Sequence, residues 1–214
     1  MPTSEILAIA ALVGCASAPV FLIVAGYLSY RMFQDTQKAK EETSRLEARI
    51  KTISNTSRNI SRHEWFAEIR KNEYASELEV EAKFVYPLMR HLGWEADNLK
   101  MRMPTTIRVG REDVRAIADW VVCVEGKPVM VIEVKNKYEA VAIDAQKQAR
   151  SYCYGLNVTK YMLTNGRSIQ VYERGLDSDQ LLFDTTIEDL PANWRKLSEV
   201  AGCSPTGEGY APRP

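Results

Sequence analysis

The chain has 214 residues, of which 45% are hydrophobic and 26% charged. That is a globular balance, one to two domains' worth at ~100–200 residues each, and it excludes wholesale disorder or a collagen-like repeat. Lys plus Arg total 28 against 28 Asp plus Glu, so no overall basic charge announces a nucleic-acid binder. The balance is local rather than uniform: residues 31–60 carry seven basic and four acidic side chains, and residues 176–214 carry three and seven. Cys15, Cys123, Cys153 and Cys203 are far apart and form no C-x-x-C pair, which favours neither a zinc site nor a disulfide framework and fits a reducing compartment.

The run from Ile6 to Tyr30 holds twenty-five residues without a charge. A bilayer core of ~30 Å needs roughly 20 apolar residues as helix, so the run is long enough to span, with Pro19 as a tolerated kink. Ala16-Ser17-Ala18 resembles a signal-peptidase site, but the leading MPTSE lacks a basic side chain and the apolar run continues to Val24. Arg31, Lys38 and Lys40 follow the span and only Glu5 precedes it. Basic flanks stay in the cytoplasm, so the expectation is a single-pass membrane anchor over residues 1–33, with the N-terminus outside and the remainder cytoplasmic. Residues 34–62 read as a polar helical stalk. Leu46, Ile50, Ile53 and Ile60 give it only a thin apolar stripe.

The body, residues 63–175, alternates between helical and strand periods. Glu73 to Leu92 places Leu78, Ala82, Val85, Met89 and Leu92 at helical spacing, interrupted by Pro87 and stopped at Gly93. Strands are expected at Met101–Val109, Ala116–Val124 and Val129–Val134, the last two joined by a turn at Gly126-Lys127-Pro128. Val141 to Leu156 returns to helical spacing. Tyr161–Thr164 and Ser168–Glu173 form a hairpin about Asn165-Gly166. The fold class is therefore α/β, a small mixed sheet flanked by helices. Residues 176–214 read as a C-terminal helix within Leu190–Val200 and a frayed tail.

Charge inside a strand demands an account, and Asp119, Glu133 and Lys135 all sit in apolar runs. Glu133 and Lys135 share one strand face. If the two strands pair, the carboxylates of Asp119 and Glu133 meet, and paired hard oxygen ligands suit Mg²⁺. A solvated ion pair on an edge strand is the structural alternative. Lys100, Arg102, Arg108 and Arg111 form an acid-free basic stripe, fit either for tracking phosphates or as unfocused surface charge.

The succession IADWVV, MVIEVK, QARSY and MLTNG, preceded by SELEVEAKFVYPLMRHLGW, resembles the PD-(D/E)XK nucleases. Within them it resembles the nuclease domain at the N-terminus of type I restriction-enzyme R subunits. The resemblance implies a restriction-endonuclease-like core over residues 63–175, with Asp119 and Glu133 ligating Mg²⁺ and Lys135 as the catalytic lysine. It matches Gln148 and Tyr152 to a Q-x-x-x-Y element, where the glutamine contacts DNA, orders the metal site or caps sheet-edge groups. Glu77 matches an acid on the family's first helix, with a solvated helix charge as the alternative. The function implied is a Mg²⁺-dependent endonuclease acting on nucleic acid, DNA more than RNA, and membrane-anchored through residues 6–30. Double-strand cleavage by a single-site enzyme would favour a homodimer. The alternatives are a non-cleaving nucleic-acid-binding module of the same fold and a membrane scaffold that recruits a partner protein.

Overall fold

The computed structural model describes residues 60–109, 111–136 and 143–203, with isolated positions between 29 and 52 that are helical. The chain divides into two units, Met1–Leu46 and Glu47–Pro214. The expected membrane span needs correction. No helix among the described residues is long and apolar enough to cross a membrane, and of the Ile6–Tyr30 run only Ser29 and Tyr30 are described. A single-pass placement with an outside N-terminus is accordingly not supported.

The second unit opens with α1 (Arg62–Ile69), whose start is fixed by a capping box between Ser61 and Glu64. Ser76 caps the next helix. This helix runs as α2 (Glu77–Val80), a π-helical turn (Glu81–Val85) and α3 (Tyr86–His91). Pro87 lies two residues after the end of the π-turn. A proline lacks an N–H and crowds the carbonyl four residues back, so the widened turn stands where a regular ladder would be interrupted. Gly93, at φ +91°, ends the run, as its left-handed backbone allows.

Six strands come next: β1 (Leu99–Val109), β2 (Glu112–Val124), β3 (Lys127–Val134), β4 (Lys160–Thr164), β5 (Ser168–Glu173) and β6 (Gln180–Thr186). They form one sheet in chain order. Every pairing is antiparallel except β3 with β4, which α4 (Ile143–Leu156) connects. The final helix is α5 (Leu190–Ala201). Helices cover both faces. Residues from α1 to α3 and from α5 pack with Trp120, Val122, Met130, Ile132 and Met162 on one face. On the other, Ala149, Tyr152 and Cys153 of α4 pack with Val121, Val131 and Leu163.

Several boundaries differ from the sequence reading, with β1 and β3 each beginning two residues earlier. The turn between β2 and β3 is Glu125-Gly126, at φ +50° and +78°, the paired left-handed geometry of a two-residue hairpin. β2 begins at Glu112 rather than Ala116, because its first residues are exposed and give no apolar signal. The body also extends past Gly175. β6 completes the sheet, and Leu190, Trp194, Leu197 and Ala201 of α5 are buried in the core.

The first two strands are irregular at one point. Leu99 and Met101 face the cluster with α1–α3, yet Met103 and Ile107 face α4. On β2, Trp120 and Val122 face the first cluster whereas Ala116 and Ala118 face the second. Both strands thus exchange faces between the pairs Met101↔Trp120 and Met103↔Ala118. Arg102, at φ +48°, and Asp119 occupy that break.

Gly155 lets α4 approach the β1 backbone closely. A Cβ there would stand 2.3 Å from Thr105 Oγ1 and 2.5 Å from the Thr106 carbonyl oxygen. Gly155→Ala should therefore lower stability by about 1–3 kcal/mol, the usual cost of overpacking. Chemical denaturation would show this as a reduced midpoint at unchanged slope; an unchanged midpoint would mean that the helix shifts freely.

Candidate active site

Trp120 pairs with Ile132, which puts Asp119 and Glu133 at the next position along neighbouring strands. Asp119 Oδ2 accepts the Val134 backbone N–H at 3.0 Å, so the aspartate is tied to β3 itself. Glu133 is only 1% exposed. Its Oε1 accepts from Lys135 Nζ at 2.6 Å, while its Oε2 is buried with no hydrogen-bond partner. Such an oxygen carries a desolvation penalty that a cation would relieve.

The rest of the sequence-predicted group converges on the same point. Lys135 Nζ also donates to Gln148 Oε1 at 3.1 Å, and Gln148 Nε2 donates to Tyr152 OH at 2.7 Å. Residues 148 and 152 are one helical turn apart on α4, so the helix presents both to the lysine. Gln148 is exposed but bonded inward, to Lys135 and to Tyr152. Glu77 is half-buried at the start of α2, and its charge acts on both Glu133 and Lys135.

Electrostatics follow from this crowding. Burial pushes the Glu133 carboxyl up, and the nearby Asp119 charge adds to it, against the opposing pull of Lys135. For Lys135, burial opposes the charged form, but the hydrogen bond and charge of Glu133, aided by Asp119 and Glu77, outweigh it and raise the ammonium's pKa.

Two participants escape sequence reasoning in their actual roles. Glu81, in the π-turn, is 0% exposed. Its Oε2 accepts from Trp120 Nε1 at 3.1 Å, and its Oε1 accepts from Arg102 at 2.6 Å. Arg102 also forms a short ion pair with Asp119 Oδ1. It is therefore corrected from phosphate contact to internal counter-ion: both ends of its guanidinium fork are engaged by carboxylates. Lys100, Arg108 and Arg111 are exposed, as the phosphate-tracking reading requires. The signal for Glu81 was its helical spacing with Glu77, which puts both acids on one face.

Among the described residues no group of three or more His, Cys, Asp or Glu side chains is arranged to hold a metal. Mg²⁺ rarely requires one, since it keeps several waters and takes one or two carboxylates plus substrate oxygens. The orphaned Glu133 Oε2 beside Asp119 fits such an ion in donor chemistry and charge.

A family model described as Type I restriction enzyme R protein N terminus (HSDR_N) matches residues 76–191, more than half of the chain. The chain belongs to this family. The HSDR_N match begins at the Ser76 cap and ends in α5, so it contains the whole constellation from Glu77 to Tyr152. The six-stranded sheet between helix layers fits a restriction-endonuclease-like core. Similar solved structures include an HsdR subunit fragment of a type I restriction enzyme from Vibrio vulnificus YJ016. It is 21% identical with a TM-score of 0.43, and the match covers 60% of this chain and 27% of that one. Another is the crystal structure of SSO0001, at 15% identity and a TM-score of 0.25, covering 63% of this chain and 83% of that one. No curated protein matches the chain. The HSDR_N match names one domain of a restriction enzyme. It supports neither a membrane partner nor the homodimer expected from double-strand cleavage.

Burial raises the Glu81 carboxyl from 4.5 to about 7, despite the pull of Arg102. Between those values the folded HSDR_N domain holds a proton that the unfolded chain has released. The associated stability is fully present below the lower value and is lost as pH rises through the upper one. Stability of the parent relative to Glu81→Gln should thus fall between pH 5 and 8, by an amount on the order of 1–3 kcal/mol at ~1.4 kcal/mol per pKa unit. Urea titrations of both proteins across that range test this; parallel stability curves would contradict it.

Proposed function

We propose that this chain carries a Mg²⁺-dependent endonuclease domain of restriction type, hydrolysing phosphodiester bonds of nucleic acid, DNA in preference to RNA. The observation that carries the reading is the buried, partnerless Glu133 Oε2 beside Asp119, with Lys135 bonded to the same carboxylate. The family match, to a domain of a restriction enzyme, supports the reaction class. Asp119 and Glu133 are the residues that would hold the ion. When bound, Mg²⁺ would polarise a phosphoryl oxygen and make attacking water more acidic.

The chain's own residues have separate tasks. Lys135, kept charged by Glu133, would stabilise charge developing on the phosphoryl group and orient the nucleophile. Gln148, held by Tyr152, fixes the lysine's direction on its far side. The backbone N–H of Val134 keeps the Asp119 carboxylate against β3. Exposed Lys100, Arg108 and Arg111 would contact phosphates away from the scissile bond, positioning the duplex without reading its sequence. One observation favours the non-cleaving alternative of the same fold: Arg102 and Lys135 already pair with both carboxylates internally.

Incubating the full chain with supercoiled plasmid separates these readings. The parent should nick or linearise the plasmid with Mg²⁺ and leave it intact in chelator. Asp119→Asn should abolish cleavage together with metal binding. Lys135→Ala should keep metal binding within a few-fold yet slow cleavage by about 10²–10³, the usual cost of one such electrostatic group. Retained cleavage by both variants would overturn the assignment. Binding without cleavage by the parent would establish the non-cleaving module.

A further inference from the structure

Arg102 has no part in the chemistry proposed for Lys135 and the acid pair, and its placement is unusual. It is a non-glycine residue at φ +48° in the middle of a strand, a conformation that surrounding structure must enforce. The kink lies at the face exchange of β1 and β2, directly beside Asp119. The side chain is 26% exposed and forks between Glu81 Oε1 at 2.6 Å and Asp119 Oδ1. Glu81 is in turn anchored by Trp120 Nε1 at 3.1 Å. A planar guanidinium can hold two carboxylates at a fixed separation, which a lysine ammonium does less rigidly.

Resting on the metal-dependent reading of Asp119 and Glu133, we propose that Arg102 is a positioning residue for the metal site. Braced by Glu81, it holds Asp119 Oδ1 on the helix side so that the carboxylate stays oriented toward Glu133 before the ion arrives. Asp119 is then clamped at both oxygens, by Arg102 at Oδ1 and by the Val134 N–H at Oδ2. Each oxygen keeps a further lone pair for a cation. The arrangement also sets one internal cation beside each acid, Arg102 for Asp119 and Lys135 for Glu133. Two like charges are thereby tolerated at neighbouring strand positions without a metal. The opposite role, a guanidinium that merely competes with the ion, makes the reverse prediction.

Calorimetric titration of the full chain with Mg²⁺, and with Mn²⁺ as a tighter-binding probe, decides between them. Circular dichroism and thermal unfolding of each variant are recorded in parallel. Arg102→Lys keeps the charge and loses the fork, and should weaken divalent binding at least tenfold while remaining folded. Should Arg102→Lys fail to fold, the double variant E81Q/R102M removes both charges together and leaves an amide oxygen able to accept from Trp120. It should fold and show the same weakening. Unchanged or tighter binding in a folded variant overturns the positioning role while leaving the metal site in place. If the parent binds neither ion, the metal-dependent reading fails and this proposal with it, an outcome distinguishable because the parent alone reveals it.

Discussion

The site depends on one electrostatic constraint: two carboxylates, Asp119 and Glu133, are held at neighbouring positions on β2 and β3, where the sheet is largely dry. Their repulsion and their desolvation both oppose ionisation, which is why the Glu133 carboxyl is driven upward. A protein interior tolerates such a pair only when cations or hydrogen-bond donors compensate it. Here the compensation comes from three directions. Lys135 arrives along the same strand, Arg102 from the neighbouring strand across the face exchange, and the Val134 N–H from the β3 backbone. One buried oxygen is left over. That imbalance is what the proposed divalent cation would complement.

The layers of the fold explain how the groups are delivered. Glu133 and Lys135 project toward α4, so Gln148, held by Tyr152, reaches the lysine from that helix. Glu81 approaches from the opposite layer, on a helix widened by a π-turn, and bonds β2 through Trp120 and β1 through Arg102. Asp119 sits where the two layers' claims on the strand change over. The irregular backbone at Arg102 is what lets one aspartate be braced from the α2 side while it faces a glutamate directed toward α4.

Much of this was legible in the sequence. Charges interrupting apolar strand runs marked Asp119, Glu133 and Lys135, and the family resemblance matched Gln148 with Tyr152. The sheet, apart from β6 and the exposed beginning of β2, emerged from alternation and turn residues. What stayed hidden has physical reasons. Glu81 stands among Glu73, Glu77 and Glu79, and only tertiary packing decides which acid is buried. Arg102 looks like a member of a basic stripe because neither its left-handed backbone nor its two carboxylate partners leave a local pattern. β6 alternates weakly, with Leu181 exposed and Asp184 within it, so its pairing with β5 carries the assignment. The apolar run at Ile6–Tyr30 met a length criterion for membrane spanning, yet no helix among the described residues satisfies one.

The most direct measurement is a crystal structure of the chain grown or soaked with Mn²⁺, using anomalous scattering to place the ion. A single peak should appear about 2.0–2.3 Å from Glu133 Oε2 and from an Asp119 oxygen, the range expected for a hard divalent ion on carboxylates. Lys135 should stay bonded to Gln148 and Arg102 to Glu81. A Mn²⁺-bound crystal with no peak between these two carboxylates, or with the ion held elsewhere, would contradict the assignment of this acid pair as the metal site.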